Sequence, residues 1–268
     1  MNALARPQAL EWLSEFVRYR ELFFFLVWRD VKIRYKQTLL GASWAILQPF
    51  FMMVVFSLLF GRVAKIDSEG VPYPIFSYAA LVPWTYFQYA VPLSGNSLIA
   101  NSKLISKVYF PRAIIPASSA LSGTVDFGFA SLVLIGMMLY YHMPVTAGLL
   151  LWPLFMIPLI IFSTAIGMIF SALNVKYRDI KYTIPFFVQA MLFLAPVIYP
   201  FSSMPAKYQA VLRLNPLVGI IDAFRAVVLP TRSVDWHLLG IATVISLALL
   251  ALASVYFSRA ERAFADLV

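Results

Sequence analysis

Residues 102–112 have the sequence SKLISKVYFPR and separate two long apolar stretches of the chain. The segment contains three cations, Lys103, Lys107 and Arg112. Charged side chains are unfavourable in hydrocarbon, and cytoplasmic connections of membrane proteins are rich in Lys and Arg. We therefore place the segment on the cytoplasmic face, between a second and a third membrane span. We expect Ser102 to cap a short helix that ends at Phe110-Pro111. Alone, the segment fits either a docking surface or an anchor at lipid headgroups.

The composition predicts a membrane protein with several spans. The 268 residues have a mean hydropathy of +0.82, and 12% of them are charged, against about a quarter in soluble domains. At about 20 residues a span, the chain has room for five to seven membrane helices and for no additional soluble domain. We therefore expect the energy source for any transport to be another protein.

The apolar pattern predicts an all-α polytopic fold with six spans. Residues 1–37 are expected to form a cytoplasmic interfacial helix, because their apolar run is too short to cross a membrane and ends in cations. The predicted spans are 39–60, 75–99, 114–140, 147–173, 183–199 and 238–257. Pro83 and Pro92 interrupt the second span and free backbone groups that lipid cannot satisfy, so this span is expected to face the interior of the assembly.

The distribution of cations predicts the orientation. With six spans, 15 of the 21 Lys and Arg residues fall on the side of the termini, including the tail at 258–268, and 6 fall on the other side. This asymmetry places both termini in the cytoplasm. The net charge of +9 lies in the connections, which favours anionic lipid headgroups or an anionic lipid-linked substrate as partners and argues against nucleic acid.

Residues 200–232 are expected to form a re-entrant helical hairpin on the outer side, between the fifth and sixth spans. Asn215 is expected to cap its second helix, with Pro216 at the first helical position. That helix, predicted at 217–229, is too short to cross a membrane. It contains two charged residues, Asp222 and Arg225.

The sequence lacks residues that several classes of function require. No G-x-x-x-x-G-K-[ST] loop occurs, so the chain is not expected to bind and hydrolyse ATP by the common mechanism, and no catalytic residues are predicted. Cysteine is absent, and the two histidines, His142 and His237, are too far apart to suggest a metal site. Asp126 is the one acidic residue well inside a predicted span. It could act as a relay in an ion-coupled carrier, or pair with a Ser or Tyr across a helix interface.

Aromatic residues make up 16% of the chain and crowd the first, second and fifth predicted spans. They fit lipid contact and interfacial belts, or a pore suited to sugars, because Tyr and Trp combine a flat apolar surface with a polar tip. The candidate channel aromatics are Trp44, Phe51, Tyr78, Trp84, Tyr86, Tyr89, Phe187, Phe193 and Tyr199.

Five segments in order resemble the permease subunit of type 2 ABC transporters, in the branch that exports O-antigen, capsule or teichoic acid polymers. They are RDVKIRYKQTLLGASWAILQP (29–49), KLISKVYFPR (103–112), NVKYRD (174–179), NPLVGIIDAFR (215–225) and ERAFADLV (261–268). The resemblance covers nearly the whole chain. It implies a half-transporter, of which two copies pair with two ATPase subunits that bind ATP and Mg, with no cofactor in this chain.

The resemblance also implies roles for particular residues. Residues 100–113 would be the coupling loop that receives ATPase motion, through Ser102, Lys103, Leu104, Lys107, Phe110 and Arg112. Cations of the N-terminal helix would lie near the pyrophosphate of a polyprenol-linked glycan: Arg29, Lys32, Arg34 and Lys36. Headgroup anchoring is compatible with this role. The hairpin would be an outer gate containing Asn215, Pro216, Asp222 and Arg225, with the two charges either pairing or facing the polymer.

The interpretation that follows is export of a lipid-linked, O-antigen-like polysaccharide across a bacterial inner membrane, through a channel between two copies of the chain. Capsule and teichoic acid polymers are alternatives within the branch. A small-lipid or drug exporter is the nearest alternative outside it, and a stand-alone channel or membrane scaffold is a different class. Asp30 and Arg34 of the N-terminal helix stand four residues apart and could pair on one face of it.

Overall fold

The computed structural model describes residues 17–36, 41, 43–229 and 232–261. Within those ranges every regular element is helical and no strand occurs, which confirms the all-α class. The first 16 residues of the predicted interfacial helix, the beginning of the predicted first span at 39–40 and the tail from 262 onward lie outside the described residues.

The helices are numbered here in chain order. They are α1 (Arg20–Lys36), α2 (Ser43–Phe56), α3 (Tyr73–Ala100), α4 (Ser102–Ile105), α5 (Ile114–Ser122), α6 (Thr124–Tyr140), α7 (Trp152–Lys176), α8 (Ile180–Leu194), α9 (Ala206–Leu212), α10 (Pro216–Ala226) and α11 (Trp236–Glu261). A π-helical segment at Ser57–Val63 extends α2, and two short 3-10 helices occupy Ala147–Leu151 and Phe201–Ser203.

Four helical stretches of the described chain are long and apolar enough to cross a membrane. They are Ser43–Val63, Ile114–Tyr140, Ala147–Lys176 and Trp236–Glu261. They coincide within a few residues with the first, third, fourth and sixth predicted spans. Sequence hydropathy therefore locates these four correctly.

The second and fifth predicted spans form helices of a different kind. Helix α3 has 28 residues and no charge, but its Tyr, Ser, Thr, Asn and Gln side chains keep it out of the strongly apolar class. Helix α8 is apolar but has only 15 residues, because it ends at Leu194 instead of continuing to Tyr199. Pro196 explains the early end, since a proline disfavours helical backbone in the residue before it.

Helix α3 is the centre of the bundle. Most of its side chains are buried, and α2, α5, α6, α7, α8 and α10 all pack on it. Helix α7 approaches α3 most extensively, and the two backbones come close where Gly167 faces Ser94. A Cβ atom at Gly167 would overlap the Ser94 side chain, whose Oγ donates a hydrogen bond to the Pro116 carbonyl at 2.8 Å. The lack of a side chain at Gly167 permits this packing.

The connections gather at two ends of the bundle. At one end, which we call the basic end, Leu26 of α1 packs in one cluster with Phe110 of the 101–113 loop and Phe257 of α11. At the opposite end, Glu69 accepts a hydrogen bond from Ser202 at 2.9 Å and pairs with Arg232 at 3.2 Å. The 101–113 loop therefore lies at the basic end, whereas the connections that contain Glu69, Ser202 and Arg232 lie at the opposite end.

The predicted hairpin comprises two unlike helices. Asn215 caps α10 as predicted: its Oδ1 accepts a hydrogen bond from the Leu217 amide at 3.2 Å, and Pro216 is the first helical residue. Every residue of α10 is buried, whereas no residue of α9 is. Helix α10 is therefore part of the core, and α9 lies on the surface.

We expect Gly167→Ala to lower the stability of the protein by about 1–3 kcal/mol, because the added methyl group overpacks the contact with Ser94. The thermal-unfolding midpoint in detergent measures this change. Gly240→Ala is the matched control, since a Cβ there would meet no atom within 4 Å. Equal midpoints for the two variants would contradict the close approach of α3 and α7.

Candidate functional site

The loop at 101–113 is less helical than the sequence predicts. Helix α4 has only four residues, and Asn101, not Ser102, holds the N-cap position without a side-chain capping bond. The side-chain amide of Asn101 instead donates to the Ser97 carbonyl at 2.8 Å. The helix ends at Ile105 rather than at Phe110-Pro111, and the Lys107 amide beyond it donates to the Leu104 carbonyl, three residues earlier instead of four. The predicted cap and helix end are therefore wrong.

The loop combines a buried anchor with an exposed tip. Phe110 is 4% exposed and packs in the cluster that contains Leu26 and Phe257, whereas the adjacent Tyr109 is 95% exposed. Lys103 and Lys107 are exposed as well, while Ser102 and Leu104 are half-buried. The loop thus presents one aromatic ring and two ammonium groups to its surroundings.

Arg112 attaches this loop to the end of α11. Its backbone amide donates to a Glu261 carboxylate oxygen at 3.2 Å, and its guanidinium lies 3.8 Å from the same oxygen. The guanidinium also reaches the Glu261 carbonyl at 3.5 Å. Arg112 therefore holds two sequence-distant segments together at the basic end.

Helix α1 is docked onto the bundle by apolar and ionic contacts. Leu26 and Val31 are its buried side chains. Asp30 accepts a hydrogen bond from Ser119 of α5 at 2.9 Å. The Arg34 guanidinium pairs with Asp126 of α6 at 2.6 Å, and the neighbouring Tyr35 hydroxyl donates to the same carboxylate.

Asp126 therefore has partners on helix α1. The Tyr hydrogen bond anticipated from sequence is present, and Arg34 adds an ion pair that the sequence did not suggest. Arg34 also lies over the Tyr89 ring of α3, 3.6 Å from its centroid. Burial, together with the bond to Asp126, raises the pKa of the Tyr35 hydroxyl, so this group stays protonated as a donor at neutral pH.

The four cations assigned to the substrate pyrophosphate fall into two kinds. Arg29 pairs with Asp30 at 2.7 Å and Arg34 with Asp126, so both are neutralised by carboxylates. Lys32 and Lys36 are exposed and have no carboxylate partner among the described residues; the Lys32 ammonium lies 5.5 Å from the Trp28 ring centroid. The expected pairing of Asp30 with Arg34 is wrong, because each has a nearer partner elsewhere.

Asp222 and Arg225 of the hairpin do not form an ion pair with each other. Asp222 pairs with Arg232 at 2.8 Å, and Arg232 also contacts Glu69. Burial raises the pKa of Asp222, and the positive charges of Arg232 and Arg225 oppose that shift. The carboxylate is thus engaged in a network at the opposite end of the bundle.

Arg225 is fully buried in this structure. Its three guanidinium nitrogens donate to the carbonyls of Phe76, Val197 and Tyr199, and its charge lies 3.7 Å from the Phe76 ring centroid. Burial lowers the pKa of Arg225 to about 9, so the side chain remains charged at neutral pH. In this conformation it faces protein, not solvent.

The candidate channel aromatics also separate by exposure. Tyr78, Trp84 and Tyr86 are 0–2% exposed and face other helices of the same chain, so they line no surface of the protomer in this conformation. Tyr78 donates to the Ala130 carbonyl and Tyr86 to the Ala120 carbonyl. Tyr89, Phe187 and Tyr199 are half-buried. The exposed members of the set are Trp44, Phe51 and Phe193.

Two features of this geometry had no signal in the sequence. Tyr109 was quoted only as part of a basic segment, although it is the most exposed large side chain of the loop. Glu69 and Arg232 lie in connections with no periodicity, so their pairing follows only from the fold. Among the described residues, no group of three His, Asp or Glu side chains is arranged to hold a metal ion.

Comparison with known proteins adds a family to this geometry. Residues 21–229 match the family described as ABC-2 type transporter. The chain belongs to this family. The match includes helix α1, the exposed basic loop and the buried helix α10. The resemblance inferred from the five sequence segments is thereby confirmed, and membership implies the membrane subunit of a transporter rather than a catalytic subunit.

The chain is similar over most of its length to several curated members of the family. It is 30% identical to the O-antigen export system permease protein RfbA of Myxococcus xanthus, over 95% of this chain and 98% of the relative. It is 27% identical to a protein of the same description from Klebsiella pneumoniae, over 90% and 92% of the two chains. The polysialic acid transport protein KpsM of Escherichia coli is 27% identical, over 82% and 86%.

We expect Arg34→Met to weaken the docking of α1, because Asp126 then lacks its cation. Both side chains are partly exposed, so the cost should be about 1–3 kcal/mol, below that of breaking a fully buried pair. The thermal-unfolding midpoint and tryptic cleavage within 17–36 report the effect. Lys32→Met, on the same helix but without a carboxylate partner, should change neither the midpoint nor cleavage at the remaining sites. Identical behaviour of the two variants would contradict the proposed docking.

Proposed function

We propose that this chain is the permease half of an ATP-driven exporter that moves a lipid-linked polysaccharide out of the cytoplasm. The observation that carries the proposal is the alignment over 95% of this chain with a protein described as an O-antigen export permease. The alignment also covers 98% of that relative. The KpsM relative, described as a polysialic acid transport protein, supports the same class of substrate.

The proposed topology has six membrane crossings, with both termini in the cytoplasm. Four crossings are the long apolar helices, and the other two are α3 and α8. Segregation of α1, the 101–113 loop and Glu261 to one end supports an even number of crossings. A short α8 is tolerable in a membrane because the chain that follows it is buried in protein. The basic end would face the cytoplasm of a bacterial inner membrane.

The working unit would contain two copies of this chain and two ATPase subunits, which bind ATP and Mg. An ATPase is needed because the sequence has no phosphate-binding loop. The exposed tip of the 101–113 loop would be its docking surface. Phe110 in the core and Arg112 on Glu261 would transmit its motion to the bundle.

The substrate pyrophosphate would meet Lys32 and Lys36 at the membrane interface. These two ammonium groups stand four residues apart on α1 and are exposed, so they can face the same side of the helix. Arg29 and Arg34, which the family resemblance groups with them, are paired with carboxylates and would orient the helix instead. The glycan would then pass over the exposed aromatics, Trp44, Phe51 and Phe193.

The hairpin that contains α9 and α10 would close the outer end of the channel. The surface position of α9 supports this role, since α10 is enclosed by the core. The alternatives within the family are export of a teichoic acid or capsule polymer and, less favoured by the relatives, of a small lipid or drug.

Deletion of the gene should remove long glycan from the cell surface and cause lipid-linked glycan to accumulate inside. Comparison of the two glycan pools, with the intact gene restored on a plasmid as the control, measures both effects. Unchanged pools would refute polysaccharide export. The chain would then be better described as an exporter of small molecules.

Tyr109→Ala is expected to reduce ATPase copurification and export severalfold while leaving the folded permease intact. The ring is 95% exposed, so its removal should change stability by less than about 0.5 kcal/mol. Tyr140→Ala is the matched control, because Tyr140 is 77% exposed and lies at the opposite end of the bundle. Equal ATPase recovery from both variants would exclude the loop tip as the docking surface.

A further inference from the structure

The chain that follows α8 is buried although it is not helical. Helix α8 ends at Leu194, and Ala195 has extended backbone, with φ −109° and ψ 148°. Ala195 and Val197 are fully buried, and Ile198 is 5% exposed. The last carbonyls of any helix lack partners within the helix, and unsatisfied backbone groups are costly inside a membrane. The carbonyls of this segment therefore need donors from elsewhere.

Side chains from three other parts of the protein supply those donors. The Asn215 amide donates to the Leu194 carbonyl at 3.1 Å, and the Tyr73 hydroxyl to the Ile198 carbonyl at 2.7 Å. Arg225 donates to two more carbonyls, Val197 at 2.6 Å and Tyr199 at 3.1 Å. The Leu194 carbonyl and the three carbonyls of 197–199 are thus held by side chains of α3, of α10 and of the residue that caps α10.

Arg225 is the centre of this arrangement. Its Nε also donates to the Phe76 carbonyl at 3.2 Å, so one guanidinium joins α3, α10 and the segment after α8. A planar group with donors in a fixed fork suits three carbonyls at once, which a lysine ammonium on a flexible stem does not. Asp222, one turn earlier on α10, bonds to Arg232 instead and leaves the guanidinium to the backbone.

We propose that Arg225 is a positioning residue for transport: it holds residues 195–199 in their non-helical path and thereby sets the shape of the outer mouth of the channel. This role rests on the proposed export function. On this proposal α10 is the fixed part of the outer hairpin and α9 is the moving part. Helix α9 has no buried residue and connects the anchored segment 195–199 to the buried helix α10. It also means that Arg225 acts on the polymer through the backbone and not by contact.

The test uses cysteine labelling, since the natural chain contains no cysteine. Val197, which is fully buried, is replaced by a single cysteine. Intact membranes that contain this variant are then treated with a maleimide that cannot cross them. Arg225→Met should increase its labelling rate about tenfold or more, because charge-assisted hydrogen bonds hold the segment closed. Arg225→Lys should give an intermediate rate, because an ammonium group can still bond to one carbonyl. Arg62→Met, an exposed arginine in the π-helical extension of α2, should leave the rate unchanged.

The second readout is transport itself. Arg225→Met should lower polymer export about tenfold or more, by the same opening of the segment, while ATPase copurification and ATP hydrolysis stay near normal. If that variant does not fold, Arg225→Lys and Tyr73→Phe carry the test, since Tyr73→Phe removes only the hydroxyl bonded to Ile198. A parental labelling rate in a folded Arg225→Met variant, or in both Arg225→Lys and Tyr73→Phe, would overturn the proposal. Normal export in spite of fast labelling would overturn it as well. The labelling result does not depend on the polymer, so an incorrect substrate assignment would leave it intact.

Discussion

The structure depends on enclosing α3, a long uncharged helix whose polar side chains are unsuited to lipid. Its tyrosines and serines donate to carbonyls of the helices around it: Tyr78 to Ala130, Tyr86 to Ala120 and Ser94 to Pro116. Since water is absent from the hydrocarbon, each of these donors requires a partner in the protein. The surrounding helices are therefore held to α3 by hydrogen bonds as well as by packing, and their positions follow from it.

The same requirement explains the buried charges at the two ends of the bundle. At the basic end, Asp126 inside α6 is matched by Arg34 and Tyr35 of α1, so α1 is attached to α6 by an ion pair. At the opposite end, Arg225 satisfies carbonyls of the non-helical segment that follows α8. Groups that resemble ligand-binding residues in the sequence therefore stabilise the framework. Lys32, Lys36 and the tip of the 101–113 loop are the groups that remain available to partners.

This division has a consequence for transport. Charged groups that bind substrate must exchange it, which is difficult for a side chain whose removal would leave a buried carboxylate or carbonyl unsatisfied. Exposed ammonium groups at an interface pay no such penalty when a phosphate arrives or leaves. Under the proposed function, framework and working surface are separated within α1 and within the hairpin of α9 and α10. One face of α1 and one helix of the hairpin are bound to the core.

The sequence by itself determined the helical class, the four apolar spans, the Asn215-Pro216 helix start and the family, because hydropathy, capping chemistry and ordered motifs are properties of short segments. It also indicated a pairing role for Asp126. Only the tertiary structure decided that Arg34 pairs with Asp126 instead of Asp30, and that Tyr78, Trp84 and Tyr86 are buried. Each of these depends on which residue from a distant segment lies within hydrogen-bonding or packing distance, and spacing along one helix carries no information about that partner.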